Sequence, residues 1–229
     1  LFAGSFLVSQ HATSLYPRVV ANDNNLEMVS AVRHLQDDPS GVVAAYETWN
    51  AGFLGAEDPK EFYKGTMRDA YAYTTGVEKS ALLIVMLQSN FGGLWKRYKK
   101  FDYGYSTSFG RRLVSYNPQV LWDFHKDLRD VEVTCKDWTE VEFEGFVFAD
   151  PPYRSYSTHP ADYGNEGKFN YDLLVERLKD HGSFAYCGTD LGDGWFDENF
   201  AGYPRVEKEI KHTAQRGSYS PVKEVMVYA

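Results

Sequence analysis

The chain has 229 residues, of which 43% are hydrophobic and 24% are charged, so it suits a globular protein with one large domain or a core with an inserted lobe. Its formal net charge of −8 argues against a protein that coats nucleic acid with its whole surface, although a local basic site is compatible with it. No run reaches the roughly 18 apolar residues of a membrane helix. The two cysteines, Cys135 and Cys187, supply neither a disulfide framework nor a zinc site.

The first part of the chain is predicted to combine short strands with longer helices. Leu1–Ala3 has the composition of a strand end, and a second strand is expected at 18–21. Apolar residues then recur at helical spacing in segments that predict helices at 25–37, 42–54, 59–73 and 77–90. The apolar run at 82–87 is also compatible with a buried strand, but the preceding VEKSA favours a helix. Because the chain starts within a predicted strand and without Met, we expect further residues to precede it.

The second part of the chain has an α/β rhythm. Residues 91–112 lack a clear period, and after them the pattern predicts a helix at 117–130, strands at 131–135 and 146–149, a helix at 170–181, a strand at 183–187 and a hairpin from 205–211 and 223–228. This order predicts an α/β fold with a doubly wound, Rossmann-like sheet and helices on both faces. We expect a catalytic core from 1–54 and 116–229, with a mostly helical lobe inserted at 55–115.

Four polar or flexible residues mark the ends of four successive predicted strands, namely Gly4, Asp23, Asp137 and Asp150. Ligands of doubly wound sheets bind beyond the carboxyl ends of the strands. Asp23 follows Gly4 by nineteen residues, the distance at which an acid meets ribose hydroxyls in nucleotide-binding folds. Asp137, with Trp138 beside it, offers a carboxylate and a ring to an adenine. The alternatives are a plain turn for Gly4, a helix N-cap for Asp23 and a solvated turn for Asp137.

The segment 148–153, FADPPY, ends a predicted strand with two prolines. Neither proline can donate to a strand ladder, so the strand stops there. Asp150 is therefore held beside a rigid turn and the ring of Tyr153. The same three letters, D-P-P, also occur in ordinary loops.

A basic stretch lies between residues 96 and 112, where six cations face a single acid and alternate with aromatic residues. Cations pair with phosphates, and rings or arginines read or wedge bases. The stretch predicts a local DNA-binding site, with a solvated charged loop as the alternative. Arg216, in the predicted hairpin turn, is a further candidate phosphate contact.

Together these segments resemble the D12-class, Dam-type DNA adenine-N6 methyltransferases, which use S-adenosyl-L-methionine. The stretch 2–5 (FAGS) resembles that family's loop after the first strand, and 23–28 (DNNLEM) resembles its D-x-N segment. The residues 150–153 match its catalytic D-P-P-Y in full. The segments 90–97 (NFGGLWKR) and 108–111 (SFGR) resemble its target-recognition stretch.

The resemblance also has departures. The family's N-terminal K-W-x-G-K block is absent, which agrees with the expectation of missing upstream residues. Gly92 replaces the Asn of the family's N-G-L, and either Lys96 or Arg97 takes the place of its Arg. These differences leave the recognised DNA sequence open.

The resemblance implies three groups of site residues. The cofactor S-adenosyl-L-methionine is expected to contact Phe2, Ala3, Gly4, Ser5, Asp23, Asn25, Asp137, Trp138 and Asp150. The catalytic residues are expected to be Asp150, Pro151, Pro152 and Tyr153. DNA is expected to contact Asn90, Gly93, Leu94, Trp95, Lys96, Arg97, Lys99, Lys100, Ser108, Arg111, Arg112 and Arg216.

The expected reaction is direct methyl transfer to an exocyclic adenine amine. The carboxylate of Asp150 and the carbonyl of Pro151 would accept the two N–H groups of that amine, and Tyr153 would stack on the base. The base must leave the duplex to arrive there, so base flipping is implied. Tyr156 and Phe169 are candidates to wall the flipped base. No metal is expected, because the six histidines show no ligand spacing.

Several alternatives remain open at the level of sequence. The substrate could be RNA, the methylated base could be cytosine at N4, or the chain could be an inactive nucleotide-binding module. A dinucleotide oxidoreductase is disfavoured because the chain contains no G-x-G-x-x-G. We expect double-stranded DNA as the partner, no membrane, and a monomer, with a dimer on DNA as the alternative. The expected location is the cytoplasm of a bacterial or phage-infected cell, at the nucleoid during action.

Overall fold

The computed structural model describes residues 1–90, 95, 109–110, 117–154, 169–210 and 222–229. The chain divides into two compact units, an N-terminal unit of Ala3–Asp137 and a C-terminal unit of Leu1–Phe2 with Trp138–Ala229. No helix within the described ranges is both long enough and apolar enough to cross a membrane.

The N-terminal unit is mostly helical and contains two short parallel strands. Its helices are α1 (Leu7–Ala12), α2 (Leu26–Asp37), α3 (Pro39–Gly55), α4 (Pro59–Phe62), α5 (Arg68–Tyr73), α6 (Gly76–Ser89) and α7 (Gln119–Leu128), and its strands are β1 (Val20–Asn22) and β2 (Glu132–Thr134). A π-helical turn, Tyr63–Met67, joins α4 to α5. The parallel pairing places Val20 opposite Glu132 and Asn22 opposite Thr134.

Helices α2, α3 and α6 pack together around the main core of this unit. The apolar run 82–87 lies within α6, so the helix prediction is confirmed. Leu82, Leu83, Val85 and Met86 are all buried, which means that α6 buries more than one face. A helix that is apolar on most sides has no sharp period, which explains why a buried strand was an alternative.

The C-terminal unit is built on a four-stranded sheet. Its elements are β3 (Val147–Ala149), α8 (Tyr171–His181), β4 (Phe184–Asp190), α9 (Trp195–Asn199), β5 (Arg205–Ile210) and β6 (Val222–Tyr228). The strand order is β3-β4-β6-β5, with β3 parallel to β4 and the other neighbours antiparallel. The core of the unit joins α8 and α9 to one face of this sheet through residues such as Leu174, Leu178, Tyr186 and Phe196.

Strand β5 is an outer strand of this sheet among the strands described. Five of its six residues are exposed, and Arg205, Glu207, Lys208 and Glu209 give it a charged surface. The Lys223 ammonium on β6 lies 2.8 Å from the Glu207 carboxylate and 3.2 Å from that of Asp190.

Most predicted elements appear within a few residues of their expected bounds, and the mixed α/β class is confirmed. The predicted strand at Leu1–Ala3 is wrong. Phe2 and Gly4 have φ values of 58° and 52°, which turn the chain out of extended geometry, although the Ala3 N–H still donates to the Asn22 carbonyl at 2.9 Å. The short helices α1 and α9 were not predicted. The division into a core and an inserted lobe stays a prediction.

Candidate functional site

In the N-terminal unit, the carboxylate of Asp23 holds the turn that contains Gly4. Asp23 directly follows β1, its Oδ2 accepts the Gly4 N–H at 2.7 Å, and its Oδ1 accepts the Asn25 N–H at 2.8 Å. An ionised carboxylate has about four acceptor positions. Asp23 therefore keeps acceptor capacity for the hydroxyl groups of a ligand while two backbone donors fix its orientation.

The cap of α2 is Asn25 and not Asp23. The Asn25 side-chain oxygen accepts from the N–H groups of Glu27 at 3.1 Å and Met28 at 3.3 Å. These bonds satisfy two of the donors that a helix N-terminus leaves open. The alternative in which Asp23 is merely the helix cap is therefore wrong.

Asn22 links β1 to the loop that leads to Asp137, a role that no sequence pattern predicted. Asn22 is only 3% exposed. Its amide donates to the Lys136 carbonyl at 3.1 Å, while its side-chain oxygen accepts from the Lys136 N–H at 3.0 Å and the Thr134 hydroxyl at 2.8 Å. Asp137 itself is exposed.

In the C-terminal unit, three predicted site residues form one aromatic cluster. The ring of Phe169 lies 5.6 Å from that of Phe2 and 5.5 Å from that of Trp138, and the Phe2 and Trp138 rings are 6.5 Å apart. Trp138 is 8% exposed and begins a 3-10 turn. Arg177 supports this turn because its guanidinium donates to the carbonyls of Trp138, Thr139 and Val141.

Asp150 lies directly after β3, as predicted, at the start of the Pro-Pro turn. Its Oδ1 is buried and has no hydrogen-bond partner among the residues that the structure describes. Burial raises the pKa of the Asp150 carboxyl, and a hydrogen bond from Tyr153 opposes this shift. The Tyr171 hydroxyl donates to the Pro152 carbonyl at 2.9 Å and so holds the turn from the side of α8.

Two further titratable residues, Cys187 on β4 and Tyr153 of the turn itself, lie close to the Asp150 carboxylate. Burial, together with the neighbouring charges of Asp150 and Glu224, raises the pKa of the Cys187 thiol to about 12, so the thiol stays protonated at neutral pH. Burial and the Asp150 charge also raise the pKa of Tyr153, which keeps its hydroxyl as a donor. The sequence placed Cys187 in a strand but carried no signal that it lies beside Asp150.

Arg154 ends the described part of the D-P-P-Y turn, and its guanidinium makes two bonds to one carboxylate. The two Asp193 oxygens accept from it at 2.6 and 3.2 Å. The guanidinium carbon also lies 4.6 Å from the centre of the Trp195 ring. None of these three residues was among the predicted site residues.

The two ends of the predicted target-recognition stretch contact the core of the N-terminal unit. Asn90 and Phe109 form an antiparallel bridge, and the Phe109 ring packs against Phe53 and Tyr63. A Cβ on Gly110 would lie 2.6 Å from the backbone oxygen of Asn90, so this position has no space for a side chain. The F-G pair of this stretch thus has a packing role.

Many predicted DNA contacts lie outside the described residues, and their roles stay predictions. These are Gly93, Leu94, Lys96, Arg97, Lys99, Lys100, Ser108, Arg111, Arg112 and Arg216, and the same holds for Tyr156. Within the described ranges, no group of three or more His, Cys, Asp or Glu side chains could hold a metal ion.

Comparison with known proteins identifies the family. The family model for D12 class N6 adenine-specific DNA methyltransferases matches residues 1–180. The Type II methyltransferase M.MjaIII of Methanocaldococcus jannaschii is 20% identical over 207 residues, which cover 82% of this chain and 71% of the relative.

The matched range 1–180 contains the D-P-P-Y turn, Asp23 and every other predicted site residue except Arg216. Membership of this family implies S-adenosyl-L-methionine as the methyl donor and DNA as the substrate. The predicted resemblance is therefore confirmed: the chain belongs to the D12 class of N6 adenine-specific DNA methyltransferases.

Proposed function

We propose that the chain methylates the N6 amine of adenine within a specific double-stranded DNA sequence, by direct in-line transfer at the D-P-P-Y turn. The observation that carries this proposal is the buried Oδ1 of Asp150, which has no hydrogen-bond partner within the described part of the chain. A buried polar atom without a partner is unusual in a folded protein and suggests a ligand donor. The amine of a flipped adenine supplies such an N–H donor.

The geometry of the turn supports the role of its residues. Asp150 is fixed by the end of β3, and the Tyr171 hydroxyl fixes the Pro152 carbonyl. We propose that the Asp150 carboxylate and the Pro151 carbonyl accept the two amine N–H groups. This arrangement draws the nitrogen lone pair out of conjugation with the ring and directs it at the methyl group. Tyr153 supplies a ring that stacks on the base.

Asp150 does not need to be a strong base. The amine nitrogen becomes acidic only as its new bond to carbon forms, so the proton leaves late. The raised pKa of Asp150 makes the carboxylate a better proton acceptor at that moment than an exposed aspartate.

The residues of the N-terminal unit fit the methyl donor. S-adenosyl-L-methionine supplies an electrophilic methyl group on a sulfonium, and it carries a ribose with two hydroxyl groups. Asp23 keeps free acceptor capacity, and its backbone donors orient it. We propose that Asp23 accepts the ribose hydroxyls and that the exposed Gly4 turn approaches the donor closely, because a glycine has no side chain to prevent this. Separately, within the C-terminal unit, the cluster of Phe2, Trp138 and Phe169 offers aromatic surface to a base.

We also propose a fold type, a biological role and a place of action for the chain. The parallel pairs β1–β2 and β3–β4 support a Rossmann-like fold, which places ligands beyond strand ends. The relative is a Type II methyltransferase by name, which supports a restriction–modification role for this chain. We propose that it acts in the cytoplasm on the cell's own duplex DNA, with base flipping as the step that delivers adenine.

The test is incubation of the purified protein with methyl-labelled S-adenosyl-L-methionine and duplex DNA, followed by nucleoside analysis. We expect N6-methyladenine as the labelled product. RNA of matched sequence provides the second arm, and label on RNA alone would contradict the substrate assignment. N4-methylcytosine as the product would contradict the base assignment.

The matched variant is Asp150→Asn, which keeps the size of the side chain and removes its charge. We expect methyl transfer to fall below a tenth of wild type while calorimetric affinity for S-adenosylhomocysteine stays within a few-fold. A variant that retains more activity than this would show that Asp150 does not contact the amine.

A further inference from the structure

Arg154, the residue directly after Tyr153, is bound to a separate turn of the C-terminal unit. The guanidinium of Arg154 donates to both oxygens of Asp193, at 2.6 and 3.2 Å. The side chains of this pair are only 19% and 31% exposed. A two-point bond between a guanidinium and a carboxylate fixes orientation as well as distance, and partial burial reduces its screening by solvent.

The turn that presents Asp193 is held by hydrogen bonds to its backbone, one of which runs from the Gly192 N–H to Oδ1 of Asp190 at 2.9 Å. Gly192 and Gly194 have φ values of 71° and 82°, a backbone region that favours glycine. Oδ1 of Asp193 accepts the Trp195 N–H at 3.2 Å as well as its bond from Arg154. Asp193 therefore joins the start of α9 to the D-P-P-Y turn.

Trp195 makes the second contact with the Arg154 side chain, through its ring. Its ring lies under the guanidinium at 4.6 Å, a geometry in which the cation is attracted to the ring face. The same ring packs 6.3 Å from that of Tyr171 and 6.1 Å from that of Tyr186, which is buried in the core. Arg154 is thus bound to a surface whose position the core determines.

These contacts leave Tyr153 between two fixed neighbours. On one side, the Pro152 carbonyl accepts from the Tyr171 hydroxyl, and on the other, Arg154 binds Asp193. The alternative for an arginine near a DNA-acting site is a phosphate contact. The two-point bond to Asp193 neutralises the guanidinium, and the ring of Trp195 covers one face, so the observed contacts favour positioning over phosphate binding.

We propose that Arg154, Asp193 and Trp195 are positioning residues that hold Tyr153 and Asp150 in the geometry required by the methyl acceptor. This inference rests on the proposed function of the D-P-P-Y turn. Small displacements of groups that orient a substrate cost large factors in rate. Loss of the anchor should therefore act on kcat, while the KM for DNA and the affinity for the cofactor stay near their wild-type values.

The test uses Arg154→Ala, Arg154→Lys, Asp193→Asn and the Arg154→Ala/Asp193→Asn double variant in the full chain. The DNA is a duplex that carries the site mapped with the wild-type enzyme. We expect Arg154→Ala and Asp193→Asn each to lower kcat by about 10- to 100-fold, because both release the same turn. The double variant should lose no more than the worse single variant, and Arg154→Lys should recover part of the rate because it keeps the charge without the fork.

The readouts separate this role from two others. A phosphate contact would raise the KM for DNA and reduce the salt slope in Arg154→Ala, whereas Asp193→Asn would leave DNA binding intact or strengthen it. A role in stability alone would lower the melting temperature without a selective loss of kcat in the folded variants. Either result would overturn the positioning role.

Two further outcomes distinguish this inference from the function on which it rests. Wild-type protein that forms no N6-methyladenine would overturn the proposed function and the positioning role together. Active wild type with unaffected Arg154→Ala and Asp193→Asn variants would overturn the positioning role alone. Binding of S-adenosylhomocysteine, measured on each preparation, serves as the control and should not change.

Discussion

The indole N–H of Trp95 donates to Oε2 of Glu27, in the first turn of α2, at 2.6 Å. The Trp95 ring also meets that of Tyr71 edge to face, with 5.2 Å between their centres. The indole N–H and the ring of Trp95 therefore both make contacts within the N-terminal unit. This packing favours an anchoring role for Trp95 over the predicted contact with DNA.

Trp95→Phe removes the N–H together with the five-membered part of the indole, so it should lower the free energy of unfolding by about 1 kcal/mol for the lost hydrogen bond, in addition to the cost of the lost packing. Glu27→Gln should lower it by a similar amount, because a charge-assisted bond becomes a neutral one. Urea unfolding of both single variants and of the double variant gives the coupling energy of the pair. Additive effects, or a Trp95→Phe protein of normal stability that binds DNA weakly, would favour the DNA contact instead.

Asp150→Asn should stabilise the protein at neutral pH by about 1 kcal/mol, since active-site groups commonly reduce stability. Burial raises the pKa of Asp150, so the folded state disfavours the charged form. The gain from Asp150→Asn should therefore be absent below the ordinary aspartate pKa of about 4 and should grow as the pH rises through the raised value.

Melting temperatures of wild type and Asp150→Asn across this pH range provide the measurement. A difference that is constant with pH would mean that the Asp150 charge does not contribute to it. An Asp150→Asn protein that is less stable at neutral pH would contradict the expected sign.

Asp23→Ala should weaken cofactor binding by about 1–3 kcal/mol, the scale of a hydrogen bond to a charged group. Asp38→Ala is the matched control, because the Asp38 carboxylate caps α3 by accepting the Gly41 N–H at 2.9 Å and is not a predicted cofactor contact. Its loss should cost about 0.5–2 kcal/mol of stability, with little direct effect on the cofactor. Calorimetric titration with S-adenosylhomocysteine and thermal melts of both variants separate the two roles. Normal cofactor affinity in Asp23→Ala would place the cofactor site elsewhere.

The basic stretch should contain cations that hold DNA and one that reads it. Lys99 and Lys100 should bind phosphates, so each substitution by Ala should weaken all DNA sequences alike and reduce the salt slope by about one. Arg97 can grip guanine O6 and N7 together, and its loss should cost about 1–3 kcal/mol on the preferred site and relax preference at one position.

The measurement for this stretch is methylation across a randomised-site library by wild type, Arg97→Ala, Lys96→Ala and Lys99→Ala. The Lys96→Ala variant is included because Lys96, and not Arg97, takes the place of the family's arginine if the alignment contains no gap. If Lys99→Ala changes the sequence preference while Arg97→Ala and Lys96→Ala only lower the overall rate, the assignment of phosphate-binding and base-reading cations is wrong.

Gly110→Ala should destabilise the protein by about 1–3 kcal/mol, the cost of forcing a methyl group into a filled space. The new Cβ would meet the Asn90 carbonyl, which is backbone and cannot move aside as a side chain would. Gly55→Ala is the control, because its Cβ would meet nothing within 4 Å. Equal melting temperatures for the two variants would argue against a packing role for Gly110.

Local sequence patterns predicted those parts of the site that are formed by neighbouring residues. A strand followed by two prolines placed Asp150 at a strand end, because proline stops the ladder wherever it occurs. The helix after Asp23 was also predicted, although its cap is Asn25. The strand at Leu1–Ala3 failed because the apolar composition does not reveal the positive φ of Phe2.

Contacts between distant residues were outside the reach of such patterns. Arg154 and Asp193 are 39 positions apart, and they meet only because β4 lies beside β3 and a glycine turn follows it. Asn22 presented the same difficulty, since its partner Lys136 is 114 positions away. Both pairs form only once the strands have paired and the connecting turns have formed, so local sequence patterns cannot predict them.

The charged surface of β5 bears on how the protein behaves at high concentration. An outer strand offers unpaired backbone groups to any other extended chain, which makes such strands starting points for aggregation. Charged side chains on an outer strand oppose such pairing, and β5 carries four of them, Arg205, Glu207, Lys208 and Glu209. The acidic and basic residues of β5 should therefore keep the enzyme soluble during purification, and their replacement by Thr should increase light scattering on storage before methylation activity changes.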